Sequence, residues 1–420
     1  MSSRRGFLKS GGLALFGIGV GGVPTFMARA AGSRKIESPY KKKKVMVCIF
    51  QRGAMDGLMA VTPFTDTYLQ AARPNLFMTA AQGGKGTPLI DLDGRFGMHP
   101  AMKSFEPLFK QNRLAIVHGV GSPNSTRSHF DAQDYMESGT PFNKGTGSGW
   151  LNRAVGLLGH DATPFRAVSL TSSMPRSFYG DNPSVSISNL QDFAIQMRGN
   201  PMGANMAAKS FEELYDQTSN SLLKETGKES FDAVKMLQKA DVKNYKPAGM
   251  AVYPNSALGN ALKQIAQLIK MDVGLEVAFA ESGGWDTHFN QGTELGVFAR
   301  NVTDLSNSIT AFWADMESYQ DDVTLMTMTE FGRTVKQNGT GGTDHGRGSC
   351  MFIIGNDVNG GKVHGTVKPL SVENLEDGRD LAVTTDFRSV FSEVADRHLN
   401  INDDKALFPD WKGGKIGVMS

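Results

Sequence analysis

The chain is predicted to adopt an α/β fold, a mostly parallel central sheet flanked by helices with one helical insertion, and three observations lead there. Short continuous apolar runs recur at residues 45–50, 114–117, 275–280 and 323–328. Such runs, four to six residues long and without polar alternation, are the mark of strands covered on both faces, as in parallel sheets. Each ends in a Gly-rich turn carrying ionisable groups, and segments with helical spacing separate the runs.

Taken in order, residues 45–50 run into Gln51-Arg52-Gly53-Ala54-Met55-Asp56-Gly57. A helix is expected over 99–111, then the strand 114–117, whose turn His118-Gly119 continues through Ser125, Arg127 and Ser128 to His129. Helices are expected over 130–138 and 149–158. Residues 200–255 are polar, rich in Lys and Glu and free of β-like runs, and read as a helical insertion or cap. A helix over 259–271 precedes the strand 275–280, which delivers Glu281-Ser282-Gly283-Gly284-Trp285-Asp286-Thr287-His288. A helix over 298–319 leads to the strand 323–328 and to Thr329-Glu330-Phe331-Gly332-Arg333; then Gly342-Thr343-Asp344-His345-Gly346 precedes an apolar run holding Cys350. A last helix over 389–399 has Val390, Val394 and Leu399 near one face, which suits packing on a sheet. Gly content marks 81–87, 142–148 and 339–343 as loops.

The 420 residues carry a formal charge of +2. Residues 1–30 hold Arg4, Arg5, Lys9 and Arg29 and no acid, so without them the charge becomes −2. A chain so near neutrality has no nucleic-acid footprint, and Lys41 to Lys44 form only a local basic cluster. The two cysteines, Cys48 and Cys350, both sit in apolar runs and are expected as free, buried thiols, too few for a thiolate metal site. Beyond the N-terminal segment no other long apolar stretch is present, so a soluble mature protein is expected.

Ser3-Arg4-Arg5-Gly6-Phe7-Leu8-Lys9 resembles the signal read by the twin-arginine export pathway of bacteria. A Gly-rich apolar run over 11–23 and the small-x-small pattern Ala28-Arg29-Ala30 follow it, as signal cleavage requires. The run is shorter than the ~20 residues that span a bilayer, which disfavours an uncut anchor. The expected layout is therefore a signal peptide over 1–30, a basic lead-in over 31–44, the main domain over 45–412 with its insertion, and a tail over 413–420. The resemblance implies the twin-arginine translocase as a partner during export and a periplasmic or cell-surface location.

Ligands of open α/β sheets bind beyond the carboxyl ends of the strands, where loops converge. Asp56, His129, Asp286, His288, Glu330, Asp344 and His345 all fall in such loops and are candidates for one crevice. Without thiolates, carboxylates and imidazoles are the ligands that hold one or two divalent ions. Each has a plainer alternative: Asp56 shaping a turn, Glu330 pairing with Arg333, Asp344 orienting a histidine. His99 and His118 read as structural. Ser128 stands at the start of a helix, where free amides and the macrodipole stabilise an anion, and is either a nucleophile or a cap. Arg127, Arg333 and Arg347 are candidates for gripping a phosphate or sulfate.

The run Arg52 to Leu58, Arg127-Ser128-His129-Phe130 through Gly139, Gly283-Gly284-Trp285-Asp286-Thr287-His288, Thr329-Glu330-Phe331-Gly332-Arg333-Thr334 and Gly342 to Gly346, in that order, resembles the DUF1501 family. The resemblance covers about residues 40–400. That family is similar to the alkaline phosphatase and sulfatase superfamily, with its α/β sandwich and metal site at the strand ends. The resemblance implies Asp56, Asp286, His288, Glu330 and His345 as ligands of a zinc, calcium or manganese ion, Ser128 as nucleophile, and Arg127 and His129 as its catalytic companions. Phe331 departs from the pattern, standing where a histidine is expected, so Asp344 and His129 complete the ligand set or metal binding is weakened. The activity implied is metal-dependent hydrolysis of a phosphate or sulfate ester; the alternative is a non-catalytic protein that uses the same scaffold to bind an envelope component.

Overall fold

The computed structural model describes residues 43–80, 86–159, 163–190 and 245–420. The signal-like segment and residues 200–244 of the expected insertion lie outside them. Residues 245–255 form bends and a turn, not helix.

In chain order the strands are β1 (Val45–Gln51), β2 (Val61–Pro63), β3 (Ile90–Asp91), β4 (Phe96–Met98), β5 (Leu114–Gly121), β6 (Ala167–Ser169), β7 (Val185–Ser186), β8 (Val277–Ser282), β9 (Val323–Met328), β10 (Ser349–Ile354), β11 (Val363–His364) and β12 (Thr385–Asp386). The longer helices are α1 (His129–Ser138), α2 (Trp150–Leu157), α3 (Ala257–Lys270), α4 (Val297–Met316) and α5 (Phe387–Leu399). The main sheet runs β11-β5-β10-β9-β1-β8-β6-β7, with β12 beside β5; a small antiparallel sheet, β2-β4-β3, lies apart. β1 sits at its centre and pairs in parallel with both β8 and β9.

Alternation along β1 divides the core in two. Val45, Val47 and Ile49 pack on one face with Leu262 and Ile265 of α3 and Phe298, Val302 and Phe312 of α4. Met46, Cys48 and Phe50 pack on the other with Trp150 and Leu151 of α2 and Phe387, Phe391 and Val394 of α5. Helices on both faces explain why the strands are apolar throughout rather than alternating. Cys48 and Cys350 belong to the two opposite faces and are both free, and burial pushes both thiols up.

One strand departs from the expected direction. β10 is antiparallel to both β5 and β9, although its apolar sequence resembles that of its parallel neighbours. A parallel successor to β9 would need a crossover, usually helical, to return the chain to the starting edge. Instead residues 329–348 double back at the rim, with Arg333 and His345 forming an antiparallel bridge, so β10 starts where β9 ends. The loop before β10 therefore lies at the same rim as the loops that follow β5, β8 and β9. The expected helix over 99–111 is two short pieces, a 3-10 turn over Pro100–Phe105 and a helix over Glu106–Lys110.

Candidate metal centre

Four loops meet at this rim. β5 leads to His129, the first residue of α1; β8 leads to Asp286 and His288; β9 leads to Glu330; and the loop before β10 supplies Asp344 and His345. His345 is the hub: its Nε2 lies 2.9 Å from Nε2 of His129 and 2.9 Å from Nε2 of His288. Asp286 Oδ1 lies 3.5 Å from the first, 3.1 Å from the second and 3.3 Å from His345 Nε2. Ligand atoms of His129, Asp286 and His345 all fall within 4.8 Å of one another.

The other ring nitrogen of each histidine is committed to an oxygen. His129 Nδ1 is 2.8 Å from Glu330 Oε1, His288 Nδ1 is 2.9 Å from Asp344 Oδ1, and His345 Nδ1 is 2.9 Å from the Arg127 carbonyl. Those acceptors favour the proton on Nδ1, and an imidazole in that tautomer turns an Nε2 lone pair toward the common centre. Lone pairs facing one another with a carboxylate beside them suit a cation. Donors about 2.0–2.1 Å from a tetrahedral zinc stand about 3.3 Å apart, close to the separations of Asp286 Oδ1 from the three Nε2 atoms. The oxygens behind the imidazoles are the partners that fix ring orientation at metal sites.

The surrounding charges agree with this arrangement. Burial pushes Glu330 up, but donors from His129, Gln133 Nε2 and the Gly53 amide hold its carboxyl below the usual range. The bond to Glu330 raises His129, whereas burial and the neighbouring His129 lower His345. Burial works against Asp286 too, yet the buried Arg333 guanidinium 2.5 Å away keeps its carboxyl low. Asn338 and His288 do the same for Asp344.

Several expected roles change. Asp56 does not join the cluster: it is buried, its two oxygens accept from Arg73 Nη1 at 2.8 Å and Nη2 at 3.1 Å, and it also accepts from Gln291 Nε2 and the Met59 amide. A guanidinium and a turn take up the carboxylate that was expected to hold an ion. Glu330 and Asp344, expected as ligands, stand behind the histidines and orient them. The Arg127 side chain turns to Asp380 at 2.5 Å and Asp377 at 2.7 Å, and only its carbonyl serves the site. Arg333 is taken by Asp286 and Arg347 pairs with Glu376 at 2.8 Å, so these arginines are not free to grip an anion. His129, expected beside the nucleophile, lies among the ligand atoms.

Ser128 occupies the N-cap of the ten-residue α1, is exposed, and makes no side-chain cap bond. Phe331, where a nitrogen ligand was expected, packs on the rings of His129 and His345 with centroids 4.9 and 5.1 Å away. His99 and His118 are buried and bonded to backbone groups, and burial pushes both down to about 4. Trp285 packs against Phe298. Gln133 was not singled out, although its place four residues after His129 on one helix puts both side chains on the face that meets Glu330.

Three imidazoles and a carboxylate converging beyond the strand ends define a histidine-rich candidate metal site on an α/β sandwich. The chain belongs to the family described as "Protein of unknown function (DUF1501)", whose model matches residues 43–409. Comparison by sequence with curated proteins gives no match. Among solved structures the chain is similar to the C-terminal periplasmic domain of EcEptC from Escherichia coli in complex with Zn, at 8% identity and a TM-score of 0.32, covering 79% of this chain and 76% of that one. It is similar to alkaline phosphatase from the Antarctic bacterium TAB5, at 11% identity and a TM-score of 0.31, covering 76% and 93%. It is also similar to Ps i-CgsB in complex with k-i-k-neocarrahexaose, at 8% identity and a TM-score of 0.39, covering 89% and 75%. At these scores the likeness carries no chemistry over to this chain.

Proposed function

We propose that this protein is an exported, metal-dependent hydrolase of phosphate or sulfate esters. The observation that carries the reading is the convergence of the Nε2 atoms of His129, His288 and His345 on Asp286 Oδ1. The donor set favours an ion that accepts nitrogen, zinc first and manganese second, over calcium, which takes oxygen ligands. When bound, such an ion supplies Lewis-acid polarisation of an ester oxygen.

The chain's own residues do the rest. Glu330, Asp344 and the Arg127 carbonyl hold the Nδ1 protons and so aim the three Nε2 lone pairs. Arg333 fixes Asp286. Ser128 Oγ, free of any cap bond, is the nucleophile of this reading, and the open amides at the start of α1 receive the anionic oxygens in place of the paired arginines. Phe331, which departs from the family pattern, packs beside the histidines without displacing them.

The test is to load the purified protein with zinc and assay aryl phosphates and aryl sulfates. Hydrolysis lost in Asp286→Ala together with the metal is expected; a protein that binds no ion, stays inert and behaves like its Asp286→Ala variant rejects the reading. Export to the periplasm or cell surface is a separate proposal, supported by Arg4 and Arg5 in their motif. Replacing both with Lys is expected to retain the protein in the cytoplasm, and unchanged fractionation would reject that part.

A further inference from the structure

We propose that Gln133, held by Arg52, is a positioning residue of the metal centre: it fixes the plane of the Glu330 carboxylate and, through it, the direction in which His129 Nε2 points. The statement rests on the metal-centre reading above and not on the ester chemistry. Glu330 Oε1 receives His129 Nδ1 at 2.8 Å, the Gly53 amide at 2.9 Å and Gln133 Nε2 at 2.9 Å. The terminal torsion of a glutamate is broad, so its donors rather than its rotamer decide how the carboxylate lies. The Glu330 side chain is sealed from solvent, where each donor counts for more than it does in water.

The same torsional freedom belongs to Gln133, whose amide is able to present either its NH2 group or its carbonyl to Glu330. Arg52 decides which. Its Nη1 lies 3.2 Å from Gln133 Oε1, so the carbonyl faces the guanidinium and the NH2 group faces the carboxylate. A flipped amide would set donor against donor on one side and acceptor against acceptor on the other. Arg52 is itself fixed: Nη1 also donates to Glu137 at 2.7 Å, Nε and Nη2 reach Glu281 Oε1 at 3.0 and 2.6 Å, and the guanidinium lies 4.0 Å over the Phe50 ring. Glu137 is anchored in turn by the Ser177 amide and hydroxyl, which donate to its other oxygen at 2.8 and 3.0 Å. The arm behind His288 is built differently. Asp344 receives an amide from Asn338 at 3.1 Å, but its side chain is 53% exposed and water can replace that donor. Gln133 is therefore the amide whose loss the centre feels most.

The test measures zinc affinity of the full chain by competition with a chromogenic chelator, beside the unfolding midpoint of the ion-free protein. Gln133→Met keeps the length of the side chain and removes both ends of the relay, and is expected to weaken zinc binding about tenfold. Arg52→Lys keeps the charge beside Glu137 and Glu281 but gives up the fork, and should weaken it by a smaller factor, about threefold. The double variant is decisive. Because Arg52 acts through Gln133, it should bind zinc no more weakly than Gln133→Met alone, whereas two independent structural lesions multiply their losses. Gln133→Ala, a second variant without the amide, should match Gln133→Met in both backgrounds. Multiplied losses in the double variant overturn the proposal. A parent that binds zinc while Gln133→Met binds it equally well rejects the positioning role and leaves the metal centre standing; a parent that takes up no zinc rejects the centre itself.

Discussion

Arg73 clasps Asp56 through two guanidinium nitrogens, 2.8 and 3.1 Å from its two carboxylate oxygens, in a pair sealed from water. Gln291 closes the third side. Breaking such a pair strands a buried guanidinium, so Asp56→Asn is expected to lose about 3 kcal/mol of stability. Its metal content should remain that of the parent. Elemental analysis beside thermal unfolding checks this, and loss of the ion from a folded Asp56→Asn protein would return Asp56 to the ligand set.

Glu330 stands behind His129, and an orienting carboxylate acts by degree where a ligand acts outright. Glu330→Gln is expected to weaken zinc binding about 10- to 100-fold. His345→Ala, which removes the hub nitrogen, should weaken it further. Competition with a chromogenic chelator ranks the two, and equal losses would mean that Glu330 itself ligates.

Ser128 makes no cap bond, so its removal has little to disturb in α1. Ser128→Ala should shift stability by less than about 0.5 kcal/mol, whereas a working N-cap typically contributes ~1 kcal/mol. Ester hydrolysis should fall more than about a thousandfold if the hydroxyl is the nucleophile. Full activity in the alanine variant would transfer attack to water.

Gly53 has φ +114°, and a Cβ there would lie 2.6 Å from the Asp286 amide nitrogen. Its own amide donates to Glu330. Gly53→Ala must push the Asp286 loop outward, so both zinc affinity and unfolding midpoint should drop. An unchanged zinc affinity would show that the loop position is not set from β1.

Asp315, buried on α4, accepts from Lys270 Nζ at 2.5 Å, the hydroxyls of Tyr245 and Tyr253 at 2.6 and 2.8 Å, and the Ala248 amide at 2.6 Å. Burial pushes its carboxyl up, but these donors prevail and hold it below the ordinary carboxylate value. A group depressed in the folded state contributes stability above its unfolded pKa of about 3.9 and loses it as pH falls through the lower folded value. The parent should therefore weaken below about pH 4, and Asp315→Asn should show a flatter dependence there. Urea midpoints from pH 3 to pH 7 decide it.

Much of this was legible in the sequence because apolar runs and strand-end loops are local signals. Residues 45–50, 323–328 and the Cys350 run announced buried strands, and Asp286, His288 and His345 were expected in one crevice, where the fold brings them together. Strand direction was not legible: β10 has the composition of a parallel strand, and only the folding back of residues 329–348 reverses it. Nor could residue type separate His129, whose Nε2 faces the cluster, from Glu330, which stands behind it, since that depends on which atom faces the centre. Asp56 misled for a similar reason: its partner Arg73 lies in a helix-flanking position that no motif marks. The short strands β6 and β7 carry too few residues to show a period.

The central position of β1 has a consequence for how the molecule is made. Met46 pairs with Val277 and with Thr324, so β1 must wait for partners that lie far along the chain. Long-range pairing of this kind is slow, because the entropy of closing the loop is lost before any contact is gained. The nascent polypeptide should thus hold β1 without its sheet neighbours until β8 and β9 have both been made.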